Sequence, residues 1–214
     1  MAIHTVRQGD YLSKITKQYG FADWQTIWND PQNADLKQKR KNPNVLYPGD
    51  QVVIPDKDGK QESGATGQRH RFTSKHRKLM LRLVLKDLDF KPVANAKCVL
   101  HVDGQKFELT SQADGLVEHE IQPTAVEARL LVDAAKAPIT LNVPIAIGKL
   151  DPVDTPSGQK ARLNNLGYFA GPLEENDDAL FESAVEEFQC DHKLTVDGKC
   201  GPMTQARLKD IHGC

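Results

Sequence analysis

The sequence predicts a multidomain α+β protein, and three observations carry this prediction. Residues 1–56 show the periodicities of short strands and helices in the order β-α-α-β. Residues 79–148 alternate polar and apolar positions and are predicted to form a small β-sandwich, whereas residues 149–214 have the spacing of three helices. Between the first two segments, residues 57–78 are polar, basic and without periodicity, which predicts a flexible linker.

The first segment reads as strand, helix, helix and strand. IHTVRQGD predicts a strand that ends in a Gly-Asp turn, and the apolar positions of LSKITKQY have helical spacing up to Gly20. DWQTIWND continues with a Trp/Ile stripe, and QVVIP predicts the closing strand. The stretches TVRQGDYLSKITKQYG and LYPGDQVVIP, with this stripe, resemble the LysM domain. Two features depart from that family: Tyr11 replaces a small hydroxyl residue, and the stretch PQNADLKQKRK lengthens the second connection.

The LysM resemblance implies a groove for N-acetylglucosamine chains, built from two adjacent loops. By this resemblance the ligand-binding residues are Gly9, Asp10, Tyr11, Leu12, Leu46, Tyr47, Pro48 and Gly49. Tyr11 and Tyr47 are the candidates for stacking on a sugar ring, since an aromatic face suits its axial hydrogens. Leu12 and Trp24 are instead expected in the core.

The middle segment is predicted to contain about six strands. LMLRLVLKD places four leucines, from Leu79 to Leu85, on one face. Asp103-Gly104 stands between two β-rich runs and predicts a type I′ hairpin, and Asp114-Gly115 repeats the signal. The segment resembles the immunoglobulin- or prealbumin-like spacers between functional modules, and no binding site is expected in it.

The last segment contains RLNNLGYFAGP, AVEEFQ and LTVDGKCGPMTQARL, which resemble the peptidoglycan-binding domain of three helices. Ser157 is the predicted N-cap of the first helix and Gly167 its stop. The resemblance implies a ligand groove near LGYF and VDGKCGP, with candidate residues Tyr168, Gln189, Asp197, Gly198 and Thr204. The alternative for Asp197-Gly198 is a plain turn, and Phe188 and Leu166 are expected in the core.

The four cysteines do not indicate a metal site. Cys190, His192, Cys200, His212 and Cys214 cluster near the end of the sequence, but their Cys-x-His and His-x-Cys spacings differ from those of structural zinc sites. No metal and no cofactor are predicted. A Cys200–Cys214 disulfide is the expectation for an oxidising compartment.

Catalytic motifs such as HExxH and GxSxG are absent from the sequence, so the protein is predicted not to be an enzyme. Glu174 and Glu175 mimic a glycosidase carboxylate pair, and they keep a cell-wall hydrolase as the more remote alternative. Their polar loop context favours a solvated surface.

The sequence also bears on partners and location. Residues 151–214 carry a net charge of −6, which argues against nucleic acid as a partner. No apolar run reaches a membrane span, and MAIHTVRQGD has no Sec-signal pattern. The expectation is therefore synthesis in the cytoplasm and action in the periplasm or at the cell wall, after delivery by a machine or by lysis.

These observations lead to the hypothesis of a non-catalytic, bivalent adaptor. Its partner would be peptidoglycan, through N-acetylglucosamine chains at one module and stem peptide at the other. The module order is similar to accessory proteins of contractile injection systems, such as type VI secretion and phage tails, which adds a secretion-machine or effector protein as a partner. The alternative is a structural baseplate, tail or effector-docking component in which LysM is a protein–protein joint.

Overall fold

The computed structural model describes residues 1–57, 63–71, 78–87, 89–133, 140–174 and 178–214. It confirms the mixed α+β organisation, with a strand–helix unit, an antiparallel sheet unit and a helical unit along the chain. The predicted linker 57–78 lies in part outside the described residues.

The first unit is closed by two antiparallel strands, β1 (Ala2–Thr5) and β2 (Gln51–Ile54). Between them lie α1 (Leu12–Gln18), α2 (Trp24–Trp28), a 3₁₀ turn (Pro31–Asn33) and α3 (Ala34–Arg40). Leu12 is fully buried, and Trp24 packs at the margin of the same core. Both residues therefore occupy the core positions that the sequence predicted.

The α3 helix is an addition to the predicted β-α-α-β order, because the inserted stretch PQNADLKQKRK folds rather than forming a plain connection. The Asp30 carboxylate accepts the Gln32 N–H at 2.9 Å and starts the 3₁₀ turn, with Pro31 in its first position. Asn33 is buried, and its amide bonds both Ile27 O and the backbone of Val53. The insertion is thus tied to α2 and β2 by a satisfied polar side chain.

The sheet unit has six described strands in two layers. Strand β3 (Leu79–Val84) pairs with β6 (Leu116–Ile121), while β4 (Lys97–Val102), β5 (Gln105–Thr110), β7 (Glu127–Asp133) and β8 (Thr140–Ala146) form the order β5-β4-β7-β8. The leucines from Leu79 to Leu85 pack against the buried cluster between the layers. This is the small antiparallel arrangement expected from the alternating pattern.

The two Asp-Gly signals have different outcomes. Asp103 and Gly104 have φ values of +50° and +73°, which are the type I′ values, and they join the paired strands β4 and β5. Asp114-Gly115 also turns the chain, but β5 and β6 pair with different partners. The prediction of a second hairpin was therefore wrong, because the turn connects strands of two sheets.

The helical unit consists of α4 (Pro156–Leu166), α5 (Asp178–Asp191) and α6 (Pro202–His212). Thr155, not the predicted Ser157, is the N-cap of α4: its Oγ1 accepts the Gly158 N–H at 3.1 Å. The Ser157 hydroxyl instead donates to Asp151 at 2.6 Å. Gly167 ends the helix with φ +98°, as predicted.

The three units touch each other through side chains. Tyr11 of the first unit belongs to the buried cluster of the sheet unit. The guanidinium of Arg40 lies 3.9 Å from the carboxylate of Asp154, and Phe90 stacks on Tyr168 with ring centroids 5.9 Å apart. The first unit and the helical unit are thus in direct contact with the sheet unit rather than only tethered to it. Among the described residues, no helix has both the length and the apolar character required to cross a bilayer.

Candidate functional site

The two loops of the first unit are built on the same turn. In both Arg7–Asp10 and Tyr47–Asp50, the last N–H donates to the first carbonyl at 3.0 Å. The third residue of each turn is a glycine with positive φ, +85° at Gly9 and +93° at Gly49, as a type II turn requires. Each final aspartate folds back to accept the N–H of the first residue. The repeated Gly-Asp pair in QGD and PGD is therefore the sequence signal for this device.

Asp50 anchors the second loop. Its carboxylate accepts the Tyr47 N–H at 2.9 Å and forms a two-point ion pair with Arg40, at 2.6 and 2.8 Å. Burial raises the pKa of Asp50, but the hydrogen bonds from Arg40 and Tyr47 outweigh burial, so the pKa lies below its ordinary value. Sequence reasoning missed both Asp50 and Arg40, and only the Gly-Asp repeat pointed to the aspartate.

Asp10 holds the first loop in a similar way. Its Oδ2 accepts from the Arg7 N–H at 3.0 Å and lies 3.2 Å from His4 Nε2, and its Oδ1 lies 3.1 Å from Lys14 Nζ. Burial raises its pKa, but these hydrogen bonds together lower it below the usual range. Asp10 thus stabilises the loop through its own hydrogen bonds. Lys14 also donates a hydrogen bond to the Gly9 carbonyl at 2.9 Å.

Tyr11 does not occupy the position expected of a sugar-stacking ring. It is 2% exposed and packs in the core of the sheet unit. Its hydroxyl lies 3.0 Å from the carbonyl oxygen of Pro123 and 2.9 Å from that of Ala125, so its one proton is shared between them. Burial raises the pKa of Tyr11 to about 12. In this arrangement the ring is an interdomain contact and is closed to a sugar.

Gly148 provides the space for this contact. A Cβ at this position would collide with the Tyr11 ring, and the positive φ of +74° also favours glycine. Gln8 adds a long hydrogen bond from its side chain to Lys149 O at 3.4 Å. The segment after β8 therefore covers the side of the first loop that carries Tyr11.

The second loop remains open. Tyr47 is 37% exposed, and Pro48 and Gly49 are also exposed. The guanidinium carbon of Arg40 lies 5.5 Å from the centre of the Tyr47 ring. Leu12 and Leu46 are buried and serve as the apolar floor beneath the loops. Of the two tyrosines expected to stack on sugar, only Tyr47 offers its ring at the surface.

The candidate residues of the helical unit form a connected node around Gln189. Its Nε2 lies within 3.0 Å of Asp197 Oδ1, Lys199 O and Thr204 Oγ1, and its Oε1 accepts the N–H groups of Asp197 and Gly198. The side chain is 1% exposed, so its amide is fully used inside the protein. Gln189 thus fixes the loop at residues 197–201 to the start of α6 instead of meeting a ligand directly.

Tyr168 lies apart from this node. Its ring packs edge-on against Phe188, with centroids 5.4 Å apart, and its hydroxyl donates to Asp191 at 3.0 Å. Burial raises the pKa of Tyr168, and the hydrogen bond to Asp191 adds to this effect. The structure therefore brings four of the five predicted residues together and leaves Tyr168 at the contact with the sheet unit. Phe188 is fully buried and Leu166 packs at the margin of the core, as expected.

The cysteines are free thiols in the structure. The expected Cys200–Cys214 disulfide is not formed, since both residues are unpaired, as are Cys98 and Cys190. Burial raises the pKa of Cys200 to about 11, so its thiol is protonated at neutral pH. No group of three or more metal-binding side chains comes together within the described residues. Of the carboxylate pair considered for hydrolysis, Glu174 is exposed and Glu175 lies outside the described residues.

Replacing Asp50 tests the anchor of the second loop. We expect Asp50→Asn to lower the free energy of unfolding of the first unit by about 3 kcal/mol, because Arg40 loses the partner of a buried ion pair. Trp24 and Trp28 are the only two tryptophans of the chain, and both lie in the first unit. Tryptophan fluorescence during urea denaturation therefore reports the unfolding of this unit. Asp56→Asn is the control, since Asp56 is exposed and pairs with the N-terminal amine.

The same pair predicts a pH dependence. The lowered pKa of Asp50 means that its stabilisation is present above the ordinary carboxyl pKa and is lost as the pH falls through the lowered value. The difference between wild type and Asp50→Asn should therefore shrink on acidification. Equal urea midpoints at neutral pH would contradict the assigned role.

Replacing Tyr11 tests the contact between the first unit and the sheet unit. Removing a buried aromatic side chain costs about 3–5 kcal/mol of packing, so Tyr11→Ala should release the first unit from the sheet. Small-angle X-ray scattering should then give a larger radius of gyration. Tyr47→Ala is the matched control because that ring lies outside the contact, and identical scattering curves for wild type and Tyr11→Ala would refute the assignment.

Comparison with known families agrees with this arrangement of units. Residues 4–30 match the LysM domain, a stretch that contains the first loop but not the second. Residues 159–208 match the putative peptidoglycan binding domain, a stretch that includes the Gln189 node. Searches of curated proteins and of solved structures gave no match. The chain therefore contains a LysM unit and a peptidoglycan-binding unit, which together support a peptidoglycan-binding role.

Proposed function

We propose that the protein is a non-catalytic, bivalent peptidoglycan-binding adaptor. The observation that carries this proposal is the presence of two wall-binding modules, at residues 4–30 and 159–208, on either side of the sheet unit. In the proposal the LysM unit binds N-acetylglucosamine glycan and the helical unit binds the same polymer at a second place. Both matched modules are binding domains, and the sheet unit between them is a spacer.

In the proposal, the second loop of the LysM unit binds the glycan. Tyr47 offers its ring at the surface, next to the exposed backbone of Pro48 and Gly49. The turn is held by Asp50 and Arg40, so its peptide groups are oriented before a ligand arrives. A rigid loop with one accessible aromatic ring suits a sugar face with N-acetyl groups at its edge.

Joining two weak sites on one chain gives avidity. Once one module is bound, the second contact becomes intramolecular, and the combined affinity can exceed either one by ~10²–10⁴. The contacts of Tyr11 and of Phe90 with neighbouring units fix the separation of the two modules. The sites are therefore proposed to act at a set spacing rather than through a freely searching LysM unit.

We propose further that this adaptor works with an injection or secretion machine and acts at the cell wall after delivery. The support for this step is the similarity of the module order to wall-binding accessory proteins of such machines. A protein partner of the machine or an effector would then bind a surface distinct from the two wall-binding sites.

A second candidate function is that of a protein–protein joint, and the burial of Tyr11 favours it. Tyr11 directly follows the turn of the first LysM loop, yet its ring lies in the core of the sheet unit. The loop is thus already used as an intramolecular docking surface. In a structural component of a baseplate or tail, this contact would be the purpose of the LysM unit.

Co-sedimentation with purified sacculi tests the main proposal. The wild-type chain should be retained in the pellet, and Tyr47→Ala should reduce retention because it removes the accessible ring of the LysM loop. The supernatant should contain no soluble muropeptides above a heat-inactivated control, since no hydrolysis is expected. A chain that stays in the supernatant would contradict wall binding, and released muropeptides would contradict the non-catalytic assignment.

Titration with a six-sugar N-acetylglucosamine oligomer separates the two candidates. Gly148→Val lies outside the LysM unit and should displace Tyr11 from its pocket. If docking restricts access to the first loop, the oligomer should bind the variant roughly tenfold more tightly, equivalent to about 1.4 kcal/mol. Equal affinity of the wild type and Gly148→Val would show that the Tyr11 contact and sugar binding are compatible. No binding heat for either protein would favour the protein–protein joint.

A further inference from the structure

A cleft lies where the sheet unit meets the helical unit. It has a volume of about 350 Å³, and its lining residues are Lys86 and Phe90 on one side and Leu166, Tyr168, Asp191, His192 and Ile211 on the other. We call it the junction cleft. Its size falls in the range of small-ligand sites, and except for Tyr168 none of these residues is among the binding residues predicted from the sequence.

Phe90 forms a fixed aromatic wall of the junction cleft. The Asp87 side chain accepts the N–H groups of Asp89 and Lys91, both at 2.9 Å, and the Phe90 N–H donates to Asp87 O at 3.0 Å. This turn holds Phe90 at φ +59°, a left-handed conformation that is unfavourable for a large side chain. The ring is 45% exposed and stacks on Tyr168, with 24° between the planes.

The cleft also carries two opposite charges that do not neutralise each other. Lys86 is exposed, and in the described part of the chain it makes no ion pair with Asp191 or another carboxylate. Asp191 accepts the hydroxyl of Tyr168 at 3.0 Å. A positive and a negative group therefore face one cleft, and a ligand that carries both charges could pair with each of them.

The charges around the cleft favour ligand groups of both signs. Asp191 is the last residue of α5, where the helix dipole is negative and no basic residue lies in the last turn. This end favours a cation. Burial lowers the pKa of His192, the positive charges of Arg207 and Lys86 add to this effect, and the negative charge of Asp191 opposes it. The ammonium of Lys86 is the positive group that lines the cleft, and it favours an anion.

We propose that the junction cleft binds the zwitterionic end of a diamino acid, with its ammonium at Asp191, its carboxylate at Lys86 and its hydrocarbon chain against Phe90 and Ile211. This inference rests on the proposed function and names the part of the polymer that is bound. An uncrosslinked stem peptide containing diaminopimelate carries an ammonium and a carboxylate on one carbon at its side-chain end. A free diamino acid has the same chemistry and is the other source of such a ligand.

Calorimetric titration of the full chain with the tripeptide L-Ala-γ-D-Glu-meso-diaminopimelate tests the proposal. Free meso-diaminopimelate serves in a second titration. We expect the tripeptide to bind and the same tripeptide with an acetylated side-chain amine to bind at least about tenfold more weakly, because acetylation removes the ammonium. Tighter binding of the free diamino acid than of the tripeptide would overturn the stem-peptide assignment.

The protein variants are chosen to keep the fold. Lys86→Gln and Asp191→Asn should each weaken tripeptide binding about tenfold, and asparagine retains an oxygen that accepts from Tyr168. Lys91→Gln is the matched control, since Lys91 lies in the same turn, is exposed and pairs with Asp89 at 3.4 Å. Circular dichroism spectra and melting temperatures should agree among all four proteins. Wild-type affinity in both cleft variants, or undiminished binding of the acetylated peptide, would overturn the proposal.

Sacculus binding in the same preparations separates failure of this inference from failure of the proposed function. A wild-type chain that sediments with sacculi but does not bind the tripeptide would overturn the junction cleft as a stem-peptide site and leave the adaptor function standing. A chain that binds neither would overturn both.

Discussion

The arrangement of the whole chain depends on the insertion of Tyr11 into the sheet unit. The ring adds apolar area to a core that is otherwise supplied by residues of the sheet unit, and burying a large apolar side chain contributes about 1.5–3 kcal/mol. Its hydroxyl satisfies two backbone carbonyl groups, those of Pro123 and Ala125, at the margin of that core. Because Tyr11 is the N-cap residue of α1, any change of its position must move the helix and the first LysM loop with it.

Three polar side chains hold the loops that carry the candidate sites. Asp50 fixes the second LysM loop from below, and Gln189 fixes the loop at residues 197–201 through both ends of its amide. Asp87 does the same for the turn of Phe90. In each case one side chain replaces a missing secondary-structure partner of backbone N–H groups. The loops are therefore ordered before binding, which reduces the entropy lost when a ligand is bound.

This rigidity changes how two wall-binding modules would work together. A flexible tether lets each module find its own site, whereas the contacts at Tyr11 and Phe90 place the open LysM loop and the junction cleft on one body. A body of this kind selects sites that already have the matching separation in the polymer. The sheet unit then has a physical role beyond spacing, because it supplies the pocket of Tyr11 and contributes Lys86 and Phe90 to the junction cleft.

The sequence by itself determined the local features of this protein. Four of these features depend on a few neighbouring residues: the Gly-Asp turns, the type I′ hairpin at Asp103-Gly104, the helix stop at Gly167 and the two module signatures. The conformational preferences of the local backbone decide them. Even the N-cap was misplaced by only two residues, from Thr155 to Ser157, since both hydroxyls stand at the start of the same helix. The α3 helix escaped prediction because its one buried apolar side chain, Leu36, gives too little periodicity.

The tertiary structure alone decided which surfaces are free. Tyr11 and Tyr47 each flank a Gly-Asp turn, Tyr11 after the first and Tyr47 at the start of the second, yet Tyr11 is buried and Tyr47 is exposed. The difference comes from residues more than a hundred positions away, Pro123, Ala125 and Gly148, whose contact with Tyr11 depends on how two units pack. The same applies to Lys86 and Asp191, which the chain separates widely and the fold brings to one cleft. Packing between units is a long-range effect that no local pattern encodes.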